Sequence, residues 1–201
     1  MKSKFSKIIA VLLIIITCVS ITGCGKKEEE DKKSTSGSKT DTKETKKLKI
    51  VNGDSTSRPY AIMINNIVTA RPLQSGLQDA YIMYEIIVEG GITRYLALFM
   101  DQSTTRIGSI RSARHYFLDY ALENDAIYVH HGQSPQAASD FSALKIDRIV
   151  VDDSKTGWRD KSLKVASEHT LFTSIEKLNN GLGKLRAKRN NNLLLNYSVD
   201  E

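Results

Sequence analysis

Hydrophobic residues are spread unevenly along the chain. Ile8 to Ile21 is a run of fourteen positions broken only by Thr17, Cys18 and Ser20, and Gly25 to about Lys49 contains almost nothing apolar. After that, apolar runs alternate with turn residues. Tyr60-Ala-Ile-Met-Ile-Asn65 follows Arg58-Pro59 and reads as a buried strand, and Asn66 to Gly76, with Pro72, reads as a loop. Ala80 to Val88 and Ile92 to Met100 are rich in β-branched and aromatic residues and flank Glu89-Gly90-Gly91. This predicts a β-hairpin closed by a primed two-residue turn, because both glycines tolerate the positive φ that such a turn needs.

Further along, Arg106 to Arg111 is a connector containing Gly108. Ser112 is placed to cap a helix running to about Glu123, with Tyr116, Phe117, Tyr120 and Ala121 on one face. Ala126 to Val129 predicts a strand ended by His130-His131-Gly132. Ser134-Pro135 predicts a helix start with proline in the first turn, and Ile146 to Val151 another strand. Asn179 to Arg189 is polar and basic, and Leu193 to Tyr197 reads as a strand separated from its partners. Residues 50–201 therefore form one domain of α+β or α/β class, a mixed sheet with a Gly-Gly hairpin and packed helices.

The amino-terminal pattern has a separate meaning. Lys2, Lys4 and Lys7 precede the apolar run with no acid among them, the form of a signal peptide. The run is shorter than the roughly 20 residues needed to cross a bilayer. It ends in Ile21-Thr22-Gly23-Cys24, an aliphatic residue and two small ones before a cysteine, which resembles the bacterial lipobox. Residues 1–23 read as a lipoprotein signal and Cys24 as the lipid attachment point, where two or more acyl chains give stable anchoring. Residues 25–49, with KKEEEDKK and STSGSKTDTKETKK, cannot bury enough surface to fold and read as a tether. A flexible coil of that length reaches roughly 25 to 30 Å. The expected location is the extracytoplasmic face of the bacterial cell membrane.

Both cysteines, Cys18 and Cys24, belong to this segment, so the domain has no disulfide and no cysteine-based zinc site. The net charge of +6 includes the three signal lysines and no signal acid, which leaves about +3 for the mature chain. That is too mild to point to nucleic acid.

Several blocks resemble the YerB-like family of Gram-positive lipoproteins. They are RPYAIMINN at 58–66, ARPLQSGL at 70–77, YEIIVEGGITRYLALF at 84–99, IGSIRSARHYFLDYA at 107–121 and YVHHGQSPQA at 128–137, followed by WRD at 158–160 and Glu168-His169. The resemblance implies location and fold but no activity. It also implies a second, C-terminal β-rich domain that this sequence does not contain, so residues 50–201 read as a truncated YerB-like domain.

The densest chemical constellation is cationic. Arg94 follows the hairpin turn, Arg106, Arg111 and Arg114 surround the predicted helix start with His115 beside them, and Arg159 and His169 lie downstream. Guanidinium forks match phosphate or carboxylate oxygens, and a helix start at Ser112 would add free N–H groups. Arg94, Arg111, Arg114 and Arg159 are thus candidate anion ligands. The competing expectation is structural ion pairing, above all Glu89 to Arg94 across the glycine turn. His130, His131 and Glu89 are the candidate catalytic groups. The two histidines are adjacent on a strand and point to opposite faces, so they do not share a metal, and no metal or cofactor is expected. Ser109, Ser112 and Ser134 lie in no nucleophile elbow, and there is no phosphate-loop or dinucleotide glycine pattern.

Three functions fit these residues. The first is a membrane-tethered module that holds an anionic envelope polymer or lipid phosphate. The second is an envelope phosphotransferase or hydrolase using the same arginines with His130 or His131 as base. The third is a protein-interaction module that adds a strand to a partner's sheet.

Overall fold

Strand β1 (Tyr60–Asn65) is buried at every position, which is why its sequence is a continuous apolar run rather than an alternating one. Tyr60, Ile62 and Ile64 pack to one side and Ala61 and Met63 to the other. In the computed structural model, which describes Asn52 and residues 54–190, β1 is the middle of a five-stranded mixed sheet of order β2-β3-β1-β5-β6. Its members are β2 (Ile82–Ile87), β3 (Thr93–Phe99), β5 (Ile127–His130) and β6 (Arg148–Val150). β3 runs antiparallel to β1 from Tyr60↔Phe99 to Asn65↔Arg94, while β5 and β6 run parallel. A second sheet, β4 (Ile107–Gly108), β8 (Leu171–Thr173) and β7 (Trp158–Arg159), is ordered β4-β8-β7.

The layers follow from the two faces. Helices α1 (Leu118–Glu123) and α2 (Pro135–Ala143) send Leu118, Ala121, Ala137 and Phe141 against Ala61, Met63, Leu96, Leu98 and Tyr128. On the other face, the small sheet and α3 (Ile175–Gly181) pack Ile107, Leu171, Ile175 and Leu178 against Tyr60, Ile62, Ile64 and Val129. Of the two expected classes, α+β or α/β, the structure is α+β, with the expected mixed sheet, Gly-Gly hairpin and packed helices. As predicted, Ser134 accepts the Ala137 N–H to start α2. Ser174 does the same for Lys177 in α3, a helix the polar reading of residues 179–189 did not anticipate.

A buried arginine closes the edge where β1 begins. Arg58 Nε donates to the Asp125 carbonyl at 2.7 Å, and its Nη1 pairs with Asp147. Arg186 grips the Asp125 carboxylate through Nη2 at 2.6 Å and Nη1 at 3.0 Å. The turns leading into β5 and β6 are thereby tied to the entry of β1. The signal, Cys24, the tether and the strand expected at Leu193 to Tyr197 lie outside the described residues.

Two sequence expectations need correction. The hairpin loop has three residues, not two: the Val88 N–H donates to the Ile92 carbonyl at 2.7 Å, leaving Glu89, Gly90 and Gly91 outside the ladder with both glycines at positive φ. The helix expected from Ser112 begins as a 3-10 turn at His115–Phe117 and becomes α-helical only at Leu118.

The layering sets the cost of truncation. Ile62→Ala, in the fully buried centre, should cost about 2 to 5 kcal/mol in urea denaturation, and Ile87→Ala, 69% exposed on the edge strand, should stay within about 0.5 kcal/mol. Equal losses at the two positions would contradict the assignment of faces.

Candidate functional site

β1 and β5 pair only as far as Ile62↔Val129. Beyond that point the segment Ser109–Ala113 lies between them and takes over their hydrogen bonds. On the β1 side, the Asn65 N–H donates to the Ser109 carbonyl and the Arg111 N–H to the Met63 carbonyl, each at 2.9 Å. On the other side, the His131 N–H donates to the Arg111 carbonyl at 3.1 Å and the Ala113 N–H to the Gly132 carbonyl at 3.0 Å. This pairing is why no helix starts at Ser112. The groups a helix would need are committed to strand-like bonds, and Arg114 is extended at φ −131°. The helix-terminus contribution to anion binding expected at Arg111-Ser112-Ala113-Arg114 is therefore absent.

The wedge brings three of the predicted arginines into one neighbourhood. Arg94 lies on the face of β3 that also carries Leu96 and Leu98 and is only 4% exposed. Its Nη1 donates to the Ser112 carbonyl at 2.6 Å, its Nε has no partner, and among the described residues no carboxylate pairs with it. Burial, then repulsion from Arg114 and Arg111, pushes its pKa down to about 10. The expected Glu89–Arg94 pair does not form. Glu89 instead takes Arg114, Nε to Oε1 at 2.6 Å and Nη2 to Oε2 at 2.9 Å. Hydrogen bonding from Arg114 holds the Glu89 carboxyl down at about 2. Beside them, the fully buried Tyr128 hydroxyl has its pKa raised by enclosure.

Arg111 reaches the other side of the rim. Its Nη1 lies 3.5 Å from the Glu168 carbonyl and its Nη2 3.7 Å from Glu168 Oε1. Arg159 joins there through a 2.5 Å bond to the Ser167 carbonyl and a 3.3 Å contact from Nη2 to His131 Nε2. Its Nε is 3.8 Å from Asp153. Arg106 stands apart, paired with Asp160 at 2.9 Å and lying over the Phe172 ring.

The two adjacent histidines go separate ways, as strand geometry requires. His131 Nδ1 donates to the Val151 carbonyl at 2.7 Å, so its Nε2 lone pair faces Arg159. His130 is fully buried, stacked on Phe141 at 5.0 Å, with Nδ1 donating to the Gly132 carbonyl and Nε2 facing Arg148 at 3.3 Å. His130 thus faces Arg148, and it shares the Gly132 carbonyl with the Ala113 N–H of the wedge. Sequence reading passed over Asn65 as no more than a strand end. It is buried, and its Nδ2 donates to Nδ1 of the equally buried His169 at 2.8 Å. An amide closing an apolar strand was the available signal.

A cavity of about 170 Å³, lined in part by Arg58, Tyr60, Asp101 and Asn179, lies at the other end of the central strands, where β1 begins.

An α+β domain with a cationic rim at the carboxyl ends of its parallel strands is what fold and site define. Residues 45–188 match the family described as "Protein of unknown function (DUF3048) N-terminal domain", and the chain belongs to that family. It is 38% identical over 144 residues to "Putative lipoprotein YerB" of Bacillus subtilis (strain 168), a match that takes in 70% of this chain and 43% of that protein. The crystal structure of YerB from Bacillus subtilis superposes with a TM-score of 0.62 at 37% identity, covering 69% of this chain and 48% of that one. The chain thus spans less than half the length of the relatives it matches.

The His130 environment has a pH consequence. Burial lowers its pKa from 6.5 to about 4, so the unfolded chain takes up a proton first as pH falls. Stability should decline between about pH 6.5 and 4, by up to roughly 3 kcal/mol from this group. His130→Asn keeps a donor near Nδ1 and removes the titration. Thermal melts across that range should show a smaller acid loss in the variant, and identical slopes would contradict this account.

Proposed function

We propose that this chain is an extracytoplasmic lipoprotein, anchored through Cys24, whose domain binds an anionic component of the cell envelope at the rim formed by Arg94, Arg111 and Arg114, with Arg159 flanking it. The observation that carries the reading is Arg94. A buried cation with no carboxylate in contact is costly, and the repulsion from Arg114 and Arg111 outweighs the attraction of Glu89, which is committed to Arg114, so an incoming anion would stabilise the arrangement. Arg114 and Arg111 are held by Glu89 and Glu168, whose side chains are 64% and 55% exposed and so are free to swing away. The anchor is supported by the signal pattern, the lipobox-like Ile21 to Cys24 and the similarity to a Bacillus subtilis protein named as a lipoprotein.

Two experiments test the two halves. Cys24→Ser should move the protein from the membrane fraction to the soluble one. Retention with an uncleaved signal would make the Ile8 to Ile21 segment the anchor. For the site, Arg94→Met should lower affinity for inorganic phosphate or sulfate by about 1.5 to 3 kcal/mol in calorimetry. It should change the melting temperature little, since removing a buried charge that has no ion pair offsets the loss of the donor to the Ser112 carbonyl. A fall in melting temperature with unchanged anion affinity would make Arg94 a structural residue and defeat the reading.

A further inference from the structure

His169 has one ring nitrogen satisfied and the other poorly served. The Asn65 Oδ1 accepts the Ile67 N–H at 3.3 Å, which orients the amide so that its Nδ2 is the donor at 2.8 Å to His169 Nδ1. Nδ1 is therefore the acceptor, and Nε2 carries the proton. Among the described residues that N–H finds only long contacts, 3.5 Å to Thr69 Oγ1 and 3.5 Å to Glu168 Oε1. Arg111 is in the same condition: its Nε is buried without a partner, and its Nη2 lies 3.7 Å from the same Glu168 Oε1. Good charge-assisted bonds are about 2.7 to 2.9 Å. One exposed carboxylate oxygen thus stands between two donors and satisfies neither.

On the reading that the rim binds anions, we propose that Arg111, His169 and Thr69, with Asn65 as the positioning residue, form a subsite for a phosphoryl group, and that Glu168 Oε1 marks where one ligand oxygen goes. The donors select the class. A guanidinium fork, an imidazole N–H and a hydroxyl ask for three acceptor oxygens in different directions, which a tetrahedral phosphoryl group offers and a planar carboxylate does not. The chain's own carboxylate is already tethered at the spot and still leaves its contacts long. Asn65 sets the tautomer: without its amide, Nδ1 could carry the proton and Nε2 would turn a lone pair towards the anion.

The test is calorimetric titration of the whole chain with inorganic phosphate and, separately, acetate. Phosphate should bind more tightly than acetate. His169→Asn removes the donor at Nε2 and should weaken phosphate binding about tenfold, whereas His169→Gln places an amide N–H near Nε2 and should recover most of it. Because substitution of a buried histidine can impair folding, Glu168→Ala provides a second test on an exposed side chain. It removes the internal competitor and should tighten phosphate binding several-fold. Unchanged phosphate affinity in folded His169→Asn, or no gain in Glu168→Ala, would overturn the subsite. If phosphate binding depended on Arg94 but not on His169 or Glu168, the rim would remain an anion site without this subsite. If the unaltered chain bound no phosphate or sulfate, both proposals would fall.

Discussion

The parting of β1 from β5 is the constraint on which the rest of the rim depends. Two parallel strands that separate leave unpaired N–H and C=O groups in the middle of a sheet, and such groups are not left unsatisfied when buried. Ser109–Ala113 resolves this by bonding to both sides, antiparallel at Ile64↔Ile110 and parallel at Ala113↔Gln133. With its backbone fixed in that way, Arg111 and Arg114 have no freedom in where they emerge. The Ser112 carbonyl is left aimed at Arg94 and accepts from its Nη1 at 2.6 Å. Shifting the wedge by one residue would turn Ile110 out of the core and Arg111 into it, so core packing and the cationic rim are specified by the same register.

What could be read from the chain divides along the range of the interactions involved. The buried strand β1, the hairpin and the start of α2 were legible because a continuous apolar run, a glycine pair and a Ser-Pro cap each act within a few residues. The Ser112 helix was misread because the competing bonds come from Met63, Gly132 and Ser134, which are distant in sequence. Strands of two or three residues, such as β4 and β7, carry no periodicity to detect.

The site was legible in composition and illegible in pairing. Arg94, Arg111 and Arg114 do gather, as their residue type and spacing suggested, yet the partner chosen for Glu89 was the wrong arginine. Across a two-residue turn, Glu89 would have faced its own hairpin. The extra loop residue carries it outward to Arg114, and Arg94 is left buried beside the core. Asn65 and His169 come together from 104 residues apart, and only the tertiary fold relates them.

The glutamates at the rim have a consequence for selectivity. Because Glu89 and Glu168 already neutralise Arg114 and Arg111, an anion arriving at those two takes part in an exchange, and Arg94 alone of the three has no ion pair to displace among the described residues. A singly charged carboxylate offers the arginines little that the chain does not supply at far higher local concentration. Only a ligand with more charge, or with oxygens spread in three dimensions, gains by the swap. If the rim binds anions as proposed, it acts as a threshold detector, silent towards small singly charged carboxylates and responsive to denser anions.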